Sequence, residues 1–311
     1  MIQLVLMSIF FSLSWLSIAA QTPSPSALNP KLPTLFVVGD STANNNANGA
    51  QGWGEPFIAY FDAAKINVLN RARAGRSSRT FITEGLWDKV LSEMKAGDFV
   101  LIQFGHNDGG PLNTDRARGS LPGLGEETRE VVMPSGKNEV VHTYGWYLRR
   151  LVNDTKAKGA TPILLSLTVR NIWNEGRVEL GSGKFGEWAA ATAKSEGVAF
   201  VDLTTIVADQ YEKLGETSVR ELFATDHTHT SPKGAELNAA SVVAGLKALK
   251  NHPLARYFLK RYVVTQAVRP SQRGCPTGDP GLARTLNAIR SSQTNSLRYA
   301  ELRRQYFQRS V

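Results

Sequence analysis

Cysteine is nearly absent from these 311 residues: Cys275 is the only one. One thiol can close neither an internal disulfide nor a cysteine-based zinc site. Charge is missing from Met1 to Ala20, a run dominated by Leu, Ile, Phe, Met and Val. No later stretch reaches the ~18 consecutive apolar residues of a membrane-spanning helix. A general excess of basic charge is lacking too. The formal charge is +9, from 36 Lys and Arg against 27 Asp and Glu, but residues 269–311 hold eight arginines, no lysine and two acids. Two thirds of the excess therefore sits in that last segment, and the nearly balanced remainder argues against a nucleic-acid-binding body. With 42% hydrophobic and 20% charged residues, the composition is that of a globular protein rather than a disordered or fibrous one. A chain of this length buries about three quarters of its unfolded surface and needs no covalent staples.

The uncharged run ends in Ala19 and Ala20 and is followed by a polar, Pro-rich stretch. That pattern predicts a signal peptide over residues 1–20 and a linker over 21–33. Secretion, extracellular or periplasmic, follows, with no stable membrane association once the segment is cleaved. An uncleaved anchor is the alternative, because the run is about long enough to span a bilayer. Residues 270–281, rich in Pro and Gly, read as a second linker. They lead into a basic, partly helical extension over residues 269–311, free to dock loosely, to attract the protein to an anionic polymer or surface, or to remain inert.

Between these segments the chain alternates strands and helices. Residues 34–39 (TLFVVG) form a short, β-branched apolar run ended by turn residues, as in a strand buried on both faces. Residues 67–71, 99–104, 162–169 and 199–203 look similar, and amphipathic stretches lie at 53–64, 81–95, 144–158 and 186–196. Alternation of this kind predicts an α/β domain over residues 34–268, with a parallel sheet and right-handed crossovers. Ligands bind such sheets beyond the carboxyl ends of the strands. Three of those ends carry polar residues: Gly39-Asp40-Ser41-Thr42, Arg73-Ala74-Gly75-Arg76-Ser77-Ser78 and Gly105-His106-Asn107-Asp108. A fourth cluster, Asp226-His227-Thr228-His229, precedes a helical stretch at 232–250.

These clusters supply the parts of an acyl-transfer site. Ser41 follows a buried strand directly, where a helix N-terminus could favour developing negative charge. A serine needs a base to take its proton, and histidine is the usual one, held in a single tautomer by a carboxylate. Asp226 lies three residues before His229, close enough on a tight turn to reach it. Gly75 offers an unobstructed backbone N–H, Asn107 a side-chain amide and Ser41 its own N–H to an oxyanion. Each part has a plainer reading, since Gly-Asp-Ser turns occur in many loops and residues 107–110 would make a good turn. Asp226, His227 and His229 could instead hold a metal, but few further ligands are in view. No metal and no cofactor are expected.

With those residues in view, the chain resembles the SGNH (GDSL-type) hydrolase superfamily, and within it the rhamnogalacturonan acetylesterases and their bacterial relatives. Four blocks are matched in order: Gly39-Asp40-Ser41-Thr42, Gly75-Arg76-Ser77-Ser78-Arg79-Thr80-Phe81, Gln103-Phe104-Gly105-His106-Asn107-Asp108, and the block from Asp226 through His229 to Ala235. The resemblance implies a flavodoxin-like three-layer α/β/α sandwich with a five-stranded parallel sheet. It also implies Ser41 as nucleophile, His229 as base, Asp226 as its orienting group, and Ser41, Gly75 and Asn107 as the oxyanion hole. The implied substrate is an acetylated acidic polysaccharide, most simply rhamnogalacturonan, attacked by a secreted esterase expected to be a monomer.

Substrate contacts are read from residue type near the blocks. Trp53 and Trp173 could stack on sugar faces or pack internally. Arg76 and Arg79 could pair with galacturonate carboxylates or simply hold their loop. Residues 111–142 form a long insertion rich in Gly, Pro and charge, expected to line or cover the cleft. The alternatives are an SGNH esterase acting on another acetylated glycan or a small acyl ester, a non-catalytic carbohydrate-binding relative, and a metal-dependent phosphoesterase.

Overall fold

The computed structural model describes residues 28–180 and 183–260. The expected signal peptide, most of the first linker and the basic extension at 269–311 lie outside the described residues. Five parallel strands form the central sheet: β1 (Thr34–Gly39), β2 (Asn67–Asn70), β3 (Phe99–Gln103), β6 (Thr161–Leu165) and β9 (Ala199–Val201). Their order across the sheet is β2-β1-β3-β6-β9, the flavodoxin-like arrangement. Two antiparallel hairpins stand apart from it, β4 (Thr128–Val132) with β5 (Asn138–His142) and β7 (Trp173–Asn174) with β8 (Arg177–Val178).

Side-chain alternation along each strand builds one core on each face of the sheet. Leu35, Val37, Leu101, Ile163 and Leu165 point to one side, and Phe36, Val38, Val100, Ile102 and Leu164 to the other. On the first side the strands meet α1 (Gly54–Phe57), α6 (Leu203–Leu214) and α8 (Pro232–Ala248). The second face is covered by α2 (Ser78–Thr83), α3 (Leu86–Glu93), α4 (Tyr144–Ala157) and α5 (Phe185–Ser195). A short α7 (Glu216–Arg220) follows α6. The result is the three-layer sandwich. All five strands run the same way, so their carboxyl ends share one edge, and the polar segments after β1, β2 and β3 emerge together there.

Two helical expectations are corrected. The stretch at 81–95 is two helices, because Gly85 takes φ +74° between α2 and α3, a conformation that interrupts the helix. The stretch at 53–64 yields only α1 and a 3₁₀ turn at Ile58–Tyr60. Beyond it Phe61 becomes extended and stacks on Phe258, 4.7 Å between ring centres. Tertiary aromatic packing outweighs the local helical periodicity at that point. Residues 111–142 carry the β4–β5 hairpin, which the sequence pattern did not reveal. Among the described residues no helix is long and apolar enough to cross a membrane.

Candidate active site

Ser41 sits in a tight turn at the end of β1. Ala43 and Asn44 N–H both donate to the Asp40 carbonyl, and the Asp40 carboxylate accepts from Thr42 N–H (2.9 Å) and Thr42 Oγ1 (2.8 Å). No helix begins at Ser41, contrary to the helix-terminus expectation; α1 starts only at Gly54. Gly39 is needed because a Cβ there would lie 2.7 Å from the Gln103 carbonyl oxygen of the neighbouring strand. The absence of a side chain lets β1 approach β3 and deliver Ser41 to the sheet edge.

Asp226 and His229 occupy a loop closed by a bridge between Phe223 and Thr230 and by Ala224 N–H donating to the His229 carbonyl (3.0 Å). Gln51 ties this loop to the serine side: its N–H donates to the Thr230 carbonyl, and its carbonyl accepts from Thr230 Oγ1. His229 Nε2 lies 2.8 Å from Ser41 Oγ, across 188 positions of sequence, and Nδ1 lies 2.7 Å from Asp226 Oδ2. Asp226 Oδ1 also accepts from Thr228 and His229 N–H, each at 2.7 Å. Partial burial raises the Asp226 pKa, but these hydrogen bonds outweigh it and hold the carboxyl down at about 2. A group ionised at neutral pH only accepts, so His229 Nδ1 is the donor and Nε2 faces the serine with its lone pair.

The oxyanion donors converge on the same place. Ser41, Gly75, Asn107 and His229 line one cleft of about 330 Å³. Gly75 has φ +78°, which only glycine adopts without strain, and a Cβ there would meet open space, so conformation rather than room dictates the residue. Among the described residues neither the Ser41 nor the Gly75 N–H has an acceptor. Asn107 Nδ2 donates one hydrogen to the Arg76 carbonyl (2.9 Å), which orients the amide and leaves its second N–H available.

Asp108 locks this constellation together, a role that sequence reasoning missed. Its buried carboxylate accepts from Ser78 N–H (3.1 Å), from Ser78 Oγ and from Ser120 Oγ (3.3 Å), joining the glycine block, the asparagine block and the insertion. Burial pushes its pKa up to about 7 against those hydrogen bonds. His106 also lines the cleft. Burial depresses its pKa and nearby Asp40 opposes that, while Arg170 and His229 depress it further.

None of the four candidate substrate contacts lines this cleft, and burial favours the packing reading for Trp53 and Arg79. Trp53 is fully buried and donates Nε1–H to Gln103 Oε1 at 2.7 Å, serving the core. Trp173 packs on the first core and bonds Asn171. Arg79 is 1% exposed; its Nε pairs with Glu139 (2.7 Å), and Nη1 donates to the Leu112 and Gly119 carbonyls. A buried guanidinium needs such partners, and by taking them Arg79 pins the insertion to α2. Arg76 pairs with Glu84 at 2.8 Å and donates Nη1–H to the Ala74 carbonyl (3.2 Å), while its own carbonyl orients Asn107. His227 is exposed, and no group of three His, Cys, Asp or Glu side chains among the described residues is arranged to hold a metal ion. The cleft is lined instead by Asn45, Ala74, His106, Arg118, Arg170 and Thr228 beside the four residues above. Arg170 was legible by the rule that singled out the first three strand ends, since it follows the carboxyl end of β6.

The profile of the GDSL-like lipase/acylhydrolase family matches residues 37–237. A rhamnogalacturonan acetylesterase of Emericella nidulans is 36% identical over 215 residues, covering 69% of this chain and 84% of that protein. The rhamnogalacturonan acetylesterase RhgT of Bacillus subtilis is 28% identical, covering 71% and 94%. Among solved structures, the YxiM protein of Bacillus subtilis superposes with a TM-score of 0.55 at 24% identity. It matches 70% of this chain, which spans 56% of that one, and shows the shared fold.

Proposed function

Because the chain belongs to the GDSL-like lipase/acylhydrolase family and is a carboxylic ester hydrolase, we propose that it removes O-acetyl groups from pectic polysaccharide, rhamnogalacturonan first, after export from the cell. The observation that carries this reading is the continuous relay from Ser41 Oγ through His229 to Asp226, at 2.8 and 2.7 Å, opening on a cleft with free backbone donors. The 36% identity to a named rhamnogalacturonan acetylesterase supports the substrate class.

His229 Nε2 takes the Ser41 proton as Oγ attacks the acetyl carbonyl carbon. The carbonyl π electrons move to oxygen, and the N–H groups of Ser41, Gly75 and Asn107 receive the resulting oxyanion. Collapse breaks the bond to the sugar oxygen, which leaves with the proton from His229. A water then gives a proton to the same nitrogen and attacks the acetyl-serine. Breakdown of that second tetrahedral species releases acetate, and the His229 proton returns to Ser41 Oγ. Asp226 keeps Nδ1 protonated throughout and balances the imidazolium.

Acetate release from acetylated rhamnogalacturonan, acetylated homogalacturonan and acetyl-xylan, measured side by side, tests the substrate. Ser41→Ala tests the chemistry, with an expected fall in turnover of several orders of magnitude. Equal rates on all three polymers would refute the pectic assignment, and a Ser41→Ala protein with near-normal acetate release would refute the nucleophile.

A further inference from the structure

Seven arginines among the described residues have a carboxylate within ion-pairing distance. Arg118 and Arg170 do not. Both are half-buried, both line the cleft that holds Ser41 and His229, and in each the Nε–H is buried without a hydrogen-bond partner. No acidic side chain lines that cleft. A half-buried guanidinium left without an anion is costly, and two in one cavity repel each other, so the arrangement is unfavourable until a negative group enters.

The backbone around each arginine is held firmly. Arg118 and Gly119 N–H both donate to the Pro111 carbonyl at 2.9 Å, and Ser120 N–H donates to Asp108. Arg79 grips the Gly119 carbonyl at 2.7 Å, and the Arg118 stem lies against Gly110, where a Cβ would stand 3.0 Å from Cγ. On the other side Asn171, next to Arg170, donates its N–H to the His227 carbonyl at 2.7 Å, inside the loop that carries His229. The two guanidinium groups are therefore mounted on segments hydrogen-bonded to those that carry Asn107 and His229. A ligand held by them is positioned relative to Ser41, as productive attack requires.

The geometry points to a carboxylate-binding subsite formed by Arg118 and Arg170, which holds the acid group of a uronic acid sugar while its acetyl ester lies against Ser41. This inference rests on the esterase reading above and adds its selectivity: the enzyme prefers an acetylated uronate to an acetylated neutral sugar because of these two side chains. Guanidinium suits the task, since its planar N–H pairs match the two oxygens of a carboxylate.

The experiment compares acetate release from three oligosaccharides: an acetylated galacturonate, its methyl ester, and an acetylated xylo-oligosaccharide. Wild type, Arg118→Gln, Arg170→Gln and the two Lys variants are assayed. Wild-type kcat/KM should fall by about 10- to 100-fold on methyl esterification, the range of a charge-assisted hydrogen-bonded pair. Each Gln variant should lose at least tenfold more on the free acid than on the methyl ester or the xylo-oligosaccharide, and each Lys variant should recover part of that selectivity. A wild type indifferent to methyl esterification overturns the subsite without recourse to any variant. Losses of equal size on charged and neutral substrates overturn it as well, by making the arginines general supports of the cleft. Failure of wild type to deacetylate any of the three substrates instead refutes the esterase reading itself.

Discussion

Replacing Asp226 with Asn changes one atom that matters. The side chain keeps its size, and its remaining oxygen can still accept from Thr228 and His229 N–H, now at 2.7 Å each. The former Oδ2 becomes an NH₂ group facing His229 Nδ1 across 2.7 Å. Two donors cannot share that gap, so His229 turns its lone pair to Nδ1 and carries its proton on Nε2, 2.8 Å from Ser41 Oγ. The base then points a proton where it needs a lone pair. Reaching the reactive tautomer means giving up one hydrogen bond and setting two N–H groups against each other. In a buried triad the same exchange costs about 10⁴ in kcat. The Asp226 side chain is 42% exposed, so water relieves part of the conflict and a loss of about 10³ is expected. At ~1.4 kcal/mol per decade, that is about 4 kcal/mol of transition-state stabilisation. Initial rates of acetate release across a range of substrate concentrations would show a collapsed kcat with KM within a few-fold of wild type, and circular dichroism would verify the fold. Retention of more than a tenth of wild-type kcat, or an effect confined to KM, would show that Asp226 does not set the tautomer.

Asn107→Ala should lower kcat about 10²- to 10³-fold with little change in KM, because it removes a donor that acts on the oxyanion and not on the bound ester; steady-state kinetics on any accepted acetyl ester measures this. Glu139→Gln strips the ion-pair partner from the buried Arg79 and should cost about 2–4 kcal/mol in urea denaturation, with the hairpin segment losing protease resistance first. Asp108 makes stability depend on pH. Its folded pKa of about 7 stands above the ordinary carboxyl value, so the contribution is intact below pH ~4 and is lost as pH rises through 7. Asp108→Asn should flatten the fall in melting temperature between pH 4 and 7, removing a stability slope of up to ~1.4 kcal/mol per pH unit. Asp226 acts oppositely: its depressed pKa supports the fold above the usual carboxyl range and that support fades as pH drops toward 2, so Asp226→Asn should narrow the acid-unfolding difference measured below pH 4.

Much of the architecture can be read directly from local pattern. The strand at 34–39 has the bounds expected of it, because an apolar β-branched run buried on both faces has no other favourable conformation. The stretch at 144–158 differs from its helix by one residue, since Thr143 caps the start by accepting from Trp146 N–H and a buried stripe runs through Leu148, Leu151 and Val152. The break at Gly85 was harder, because a single glycine costs a helix only ~1 kcal/mol and the packing of the neighbouring turns decides whether the helix continues through it. The β4–β5 hairpin was not legible, since its strands are mostly exposed and their burial pattern has no regular alternation.

The order of the blocks along the chain was enough to nominate Ser41, Asp226 and His229, because acyl transfer needs a hydroxyl, an imidazole and a carboxylate of these types next to strand ends. Residue type near a block was not enough to nominate the groups that face the substrate. Trp53 and Arg79 lie within the right segments, yet the structure turns them inward, where the indole N–H and the guanidinium find Gln103 and Glu139. Arg118 stands in unremarkable sequence and reaches the cleft only because the insertion folds back, whereas Arg170 lies beyond a strand end and enters the cleft because β6 runs beside β3. Local sequence governs which conformation a segment prefers and which chemistry it carries. Which side chain ends up buried, paired or left free in a cavity depends on partners dozens of residues away, and only packing decides that.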